Sequence, residues 1–88
     1  MNELQKEVFE RLLPHQKRMV EEYSELDERT GKLGMFLDSD KFDELDIDEQ
    51  RDMVAQYHAM VLYRMSLGSR LERIQVKDIF FPVADGSL

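Results

Sequence analysis

Residues 53–71 read MVAQYHAMVLYRMSLGSRL, about five helical turns without one aspartate or glutamate. The rest of the 88-residue chain holds all 19 acidic residues. Arg64 and Arg70 give the stretch a charge of +2, in a chain of net charge −7, so −9 resides elsewhere. An acidic helical protein normally solvates its outer faces with carboxylates. Their absence here means burial on most sides, or a face that accepts a negative ligand.

Spacing within and around the stretch favours burial. Met53, Tyr57, Met60, Arg64, Leu67, Leu71 and Ile74 recur at steps of four and three, the seam of a helix running from about Ile47 to Ile74. Val54, Val61, Met65 and Gly68 form a second apolar face, widened by Leu62. A matching seam of Met19, Tyr23, Leu26, Thr30, Leu33 and Leu37 lies on a helix from residue 15 to about 37. At about 1.5 Å per residue the two helices are of similar length and pair as an antiparallel hairpin. One partner helix covers one stripe only, so the second face predicts a homo-oligomer, with Gly68, Ser66 and Ser69 permitting close approach of a neighbour.

Leu4, Val8, Leu12, Phe9 and Leu13 form a short apolar stripe ending at Pro14. Proline has no amide hydrogen and suits the first turn of a helix, so one helix ends and the next begins there. The connection DSDKFDELD (38–46) is acidic, with Phe42 and Leu45 placed to plug the hairpin end. Asp46 followed by Glu49 has the spacing of a capping box. Gly31 and Gly34 lie within the second helix, where each costs about 1 kcal/mol relative to alanine. They read as a loosened helix end or a close helix contact, with a site of ligand approach as the alternative. The tail VKDIFFPVADGSL (76–88) holds Ile79, Phe80, Phe81 and Val83, too apolar to stay in water, and Pro82 rules out a continued helix. It is expected to extend as a docking arm or edge strand on a neighbouring protomer, with Asp85–Leu88 frayed. The predicted architecture is all-α and a single domain over 1–88: an N-terminal helix (1–13), a long hairpin (15–74) and an extended tail (75–88).

Composition narrows function. The chain has no cysteine, which excludes disulfides and thiolate metal sites, and His15 and His58 form no ligand pair. No metal motif, glycine-rich phosphate loop or interpretable catalytic spacing occurs. The acidic runs from Glu21 and from Asp43 read as solvated helix faces, so no enzyme and no cofactor are expected. Gln56, His58 and Arg64 interrupt the longest apolar stretch, which argues against a membrane span. The opening MNELQKEVFERL lacks the apolar core of a signal peptide. Net charge −7 disfavours direct nucleic-acid binding through a broad basic face. A soluble cytoplasmic protein is expected, in the host cell if the source is a virus.

Two Tyr–Arg pairs carry the remaining chemical signal. Tyr57 and Arg64, and likewise Tyr63 and Arg70, stand seven residues apart and so share a helix face. An aromatic ring to stack on a base and a guanidinium to fork a phosphate are the minimum for holding a nucleotide. Arg18 and Lys32 supply a second basic set. The structural alternative is that Arg64, in the seam, pairs with Glu22, Glu25 or Asp27, and that Arg70 complements the helix dipole. His58, among apolar residues, reads as an interface histidine.

The patterns resemble a known group. His15-Gln16-Lys17-Arg18-Met19-Val20, with Glu22, Leu26, Lys32-Leu33 and Phe36, is similar to the first helix of small hairpin accessory proteins of crAss-like and other tailed phages. Phe42, Leu45, Glu49-Gln50, Met53, Gln56, Met60, Tyr63, Leu67 and Arg70-Leu71 are similar to the second. The resemblance spans about residues 15–74 and rests mainly on hairpin pattern. The wider class of phage hairpins includes anti-CBASS and anti-Thoeris sponges, oligomers that sequester cyclic nucleotide immune signals without cleaving them. Their Tyr-Arg-x-Leu signature and following Ile-Lys on the first helix have no counterpart here. Tyr63-Arg64-Met65 is the nearest match and lies on the other helix, so no binding residue carries over. The resemblance implies a non-enzymatic counter-defence protein; the residue chemistry, read separately, puts Arg64 and Arg70 on phosphate and Tyr57 or Tyr63 on a base, with Arg18 and Lys32 from a neighbour. The alternatives are an acidic inhibitor of a host defence protein, of anti-CRISPR type, and a purely structural assembly protein.

Overall fold

A computed structural model describes residues 1–83, and among these there are five helices and no strand. They are α1 (Glu3–Arg11), α2 (Pro14–Leu37), α3 (Asp40–Asp43), α4 (Ile47–Arg73) and α5 (Lys77–Phe80). The long helices α2 and α4 pack against one another as the hairpin, with α1 as the short N-terminal helix. Among the described residues no helix is long and apolar enough to cross a membrane.

Local chemistry sets each boundary. Asn2 and Gln5 form a reciprocal capping box, Asn2 Oδ1 accepting from the Gln5 N–H at 2.8 Å and Gln5 Oε1 from the Asn2 N–H at 2.9 Å. Pro14 opens α2 as the spacing predicts, and Gln16 Oε1 takes the Leu13 N–H at 3.0 Å. Asp46 caps α4, its Oδ1 accepting from the Glu49 N–H at 2.9 Å. Where α4 ends, the Gln75 N–H donates to Glu72 O at 2.9 Å and the Val76 N–H to Leu71 O at 3.1 Å. This is a Schellman turn with Gln75 at φ 61°, a position glycine normally fills.

Both seams face inward. Met19, Leu26 and Thr30 of α2 are buried, as are Leu67 and Leu71 of α4. Thr30 joins an apolar seam without cost because its Oγ1 donates to Leu26 O at 2.6 Å. The core gathers at the open end of the hairpin, where Met19, Val20, Leu71 and Val76 are ringed by Val8 and Phe9 of α1, by Leu12 just after it, and by Phe80 and Phe81. At the other end Phe36 and Phe42 meet edge to face at 6.4 Å. Gln50 Nε2 donates to Phe42 O at 3.0 Å and to Leu45 O at 3.1 Å, so the connection is plugged as expected, with α3 as one added helical turn.

The tail departs from the expectation of an extended arm. Lys77–Phe80 forms a turn of helix, and the segment folds back on its own chain. Phe80 meets Phe9 at 6.2 Å, Phe81 meets Tyr23 at 4.5 Å, and Gln5 Nε2 donates to Ile79 O at 2.9 Å. The Schellman turn supplies the reversal that makes this possible. Gly68 likewise serves the chain itself: a Cβ there would touch Lys77 and Tyr23 at 3.4 Å, so the close approach it permits is made by α5 and α2. The expectation of fraying at Asp85–Leu88 lies outside the described residues.

Candidate functional site

Arg64 occupies its seam position on α4 and reaches α2, where Nη1 donates to Asp27 Oδ1 at 3.0 Å. The arginine side chain is 28% exposed, and its partner about half exposed. One turn on, buried Gly68 lets Lys77 of α5 lie across α4, where Nζ pairs with Glu72 Oε1 at 3.3 Å. The Schellman turn brings Lys77 back to this place. Between the two cations is a cleft of about 270 Å³, walled by Tyr23 and Met65, floored by Gly68, and edged by Ser69 and Glu72.

Each cation has one carboxylate, so the cleft is close to neutral at rest. It retains donors. Asp27 engages Nη1 of a guanidinium that has five N–H groups, and an ammonium has three. Ser69 adds a hydroxyl and Tyr23 a phenol ring. The arrangement suits a phosphate that displaces or shares the carboxylate partners, since forked guanidinium–phosphate contacts rank among the stronger hydrogen bonds. A larger cavity of about 360 Å³ lies between α1, α2 and α5, but Glu21 and Glu25 line it and make it a poor home for an anion. Among the described residues no cluster of His, Asp or Glu is arranged to hold a metal.

The six residues singled out in the sequence do not converge. Only Arg64 lines the cleft. Tyr57 lies two turns away with its ring on Gly34; a Cβ at that glycine would come 3.1 Å from Tyr57 Cε1. Tyr63 and Arg70 share a different flank of α4, about 100° round the helix for Tyr63. There the Tyr63 hydroxyl donates to the Glu22 carboxylate. That hydrogen bond, with some desolvation and the Glu22 charge, raises the Tyr63 pKa above its ordinary 10.0, while Arg70 pulls the other way. Arg18 stands exposed beside a shallow depression with Glu21, Glu22 and Glu25. Lys32 pairs with Glu28 at 3.0 Å on the outer surface of α2. Lys77, Tyr23 and Ser69 are the cleft residues that sequence reasoning missed. Gly68 was the available signal, because a glycine in mid-helix marks a close approach.

A family model described as Sequestin matches the chain over residues 13–73. That span contains the whole hairpin, and Lys77 lies just beyond it. No curated protein and no solved structure matches the chain.

Proposed function

The chain belongs to the Sequestin family, and from that premise we propose that it sequesters a small anionic nucleotide signal and returns it unchanged. The observation that carries this reading is the convergence of Arg64 and Lys77, both only 28% exposed, on one cleft floored by a glycine. The guanidinium forks the phosphate, the ammonium neutralises it, and Tyr23 offers ring area to the base or sugar. In this reading the protein is a non-enzymatic accessory of a phage, and the signal is a cyclic nucleotide of a host defence system. The hairpin pattern and the family description support it. Arg70 with Tyr63, and Arg18, contribute from the other flank only if a neighbouring molecule brings them to the cleft.

The test is a thermal-shift panel of cyclic dinucleotides and cyclic ADP-ribose isomers. A ligand at 100 times its Kd adds about 2.7 kcal/mol, which in a domain of this size raises Tm by about 10–20 °C. Arg64→Ala should abolish the shift, and the ligand should be recovered intact after denaturation. Asp27→Asn separates binding from architecture: it frees the guanidinium, so ligand affinity should be kept or improved. No shift across the panel, or recovery of a cleaved ligand, overturns the proposal.

A second reading, an acidic inhibitor of a host protein, is favoured by one observation. Asp40, Asp43, Glu44, Asp46 and Asp48 are all exposed around the hairpin tip, with Lys41 the only cation among them. Neutralising Asp43, Glu44 and Asp46 together should then abolish inhibition and leave thermal shifts untouched.

A further inference from the structure

We infer that α1 is a positioning element for the cleft: Gln5 and Phe9 hold α5 in place, and through it they set the Lys77 ammonium beside Arg64. The inference rests on the reading of the cleft as an anion site. It gives the first helix a part in binding although no residue of α1 lines that cleft.

A helix of one turn has no stability of its own, so α5 takes its direction from what it docks on. Its N-terminus has no side-chain cap. Two sides hold it. Val76, buried in the cluster with Leu71, and Phe81, whose ring lies 4.5 Å from that of Tyr23, fasten it to the hairpin. The other side belongs to α1. Gln5 Nε2 donates to Ile79 O at 2.9 Å, and Phe9 meets Phe80 edge to face at 6.2 Å. Lys77 has one polar anchor of its own, Glu72 Oε1 at 3.3 Å, and an ion pair to so exposed a carboxylate is too weak to fix a long side chain. Its stem lies over Gly68, where a Cβ would come 3.4 Å from Lys77 Cε. A displaced α5 therefore carries the ammonium away from the cleft.

The two segments that meet here both lie outside the span matched by the family model, α1 before residue 13 and α5 after residue 73. Arg64, Gly68 and Ser69 lie within it. The hairpin thus supplies the guanidinium, and its two flanking segments, by packing on one another, supply the second cation. The chemistry of α1 agrees with that part. None of its residues is fully buried, so it adds little to the core. Among the described residues, the one side-chain hydrogen bond it makes beyond its own cap goes to the tail. With Lys77 held in place, a phosphate group is met by two cations; with Lys77 loose, Arg64 meets it alone.

Gln5→Glu separates the tether from the helix. A glutamate keeps the capping box with Asn2, because its carboxylate accepts the same N–H, but it cannot donate to Ile79 O. Phe9→Ala removes the ring contact without adding charge. Acetylation of amines in the full chain, read residue by residue by mass spectrometry, should modify Lys77 several-fold faster in both variants than in the native protein. Lys41, exposed at the hairpin tip, should be unchanged. Calorimetric titration with pyrophosphate should show affinity weakened about threefold to fivefold in each variant, as for loss of a partly exposed charge pair. In a Lys77→Ala background neither substitution should weaken pyrophosphate binding further, whereas a purely structural role of α1 lowers affinity in both backgrounds. If Phe9→Ala loses its helical circular dichroism, Gln5→Glu decides alone. Equal labelling of Lys77 in native protein and variants overturns the inference and leaves the reading of the cleft standing. So does a loss of affinity that persists in full without Lys77. A native protein with no affinity for pyrophosphate also overturns it, and the nucleotide panel then decides separately whether the reading of the cleft falls too.

Discussion

Tyr63 shows how a residue chosen for one chemistry can be committed to another. Its hydroxyl donates to Glu22, and the bond favours the neutral phenol. Because the folded pKa lies above the unfolded one, the contribution to stability is complete below pH 10 and is lost as pH rises through the raised folded value. Glu22→Gln should therefore bring the Tyr63 titration down toward 10.0. Ultraviolet titration of that variant, each time subtracting the profile of its Tyr63→Phe counterpart, reads the change. The glycines of α2 differ in the same local way. A Cβ at Gly31 meets nothing within 4 Å, so Gly31→Ala should stabilise the chain by up to about 1 kcal/mol in urea melts. Gly34→Ala places a methyl against the Tyr57 ring and should gain less or nothing, since the ring must give way first.

At the scale of the element, the decisive feature is the end of α4. A Schellman turn reverses the chain at Gln75, sends Val76 into the core against Leu71, and delivers Lys77 to the cleft. Gln75 pays for this with a left-handed backbone, which costs an L-residue on the order of 1 kcal/mol. Gln75→Gly should thus raise stability by about 0.5–1 kcal/mol, the gain being trimmed by the greater freedom of glycine in the unfolded chain. Chemical denaturation of the two proteins side by side provides the check. A rise in stability without any change in helical content would place the effect at the turn itself.

At the scale of the molecule, the core is small and concentrated where α1, α2, α4 and α5 meet. Leu71 is fully buried there, touching the cluster of Met19, Val20 and Val76. Leu71→Ala should cost about 2–5 kcal/mol. A chain of this length holds on the order of 4–13 kcal/mol in total, so the loss should leave a substantially unfolded population near physiological temperature. Circular dichroism melts measure it directly. Leu62→Ala, by contrast, should change the stability of a single chain by less than about 0.5 kcal/mol. Any larger, concentration-dependent effect at Leu62 then belongs to assembly.

The hairpin was legible in residue order because helix periodicity, proline position and capping chemistry are local. Steps of three and four put Met19, Leu26 and Leu67 on facing seams, and Pro14 and Asp46 mark where helices start. Burial of one seam accounts for only part of the missing acid between Met53 and Leu71, because Val54, Leu62 and Met65 of the second apolar face, expected to be covered, are exposed in the single chain. The same periodicity placed Arg64 in the seam, but it left open which of Glu22, Glu25 and Asp27 would meet it. Periodicity also treated the tail as separate from the hairpin, because a reversal at a non-glycine residue leaves no composition signal. Which residues share a cleft depends on contacts between segments far apart in the chain. Arg64 meets Lys77 only after Gln75 turns left-handed and Phe80 and Phe81 dock on the core. Those contacts are long-range and cooperative, and only folding in three dimensions decides them.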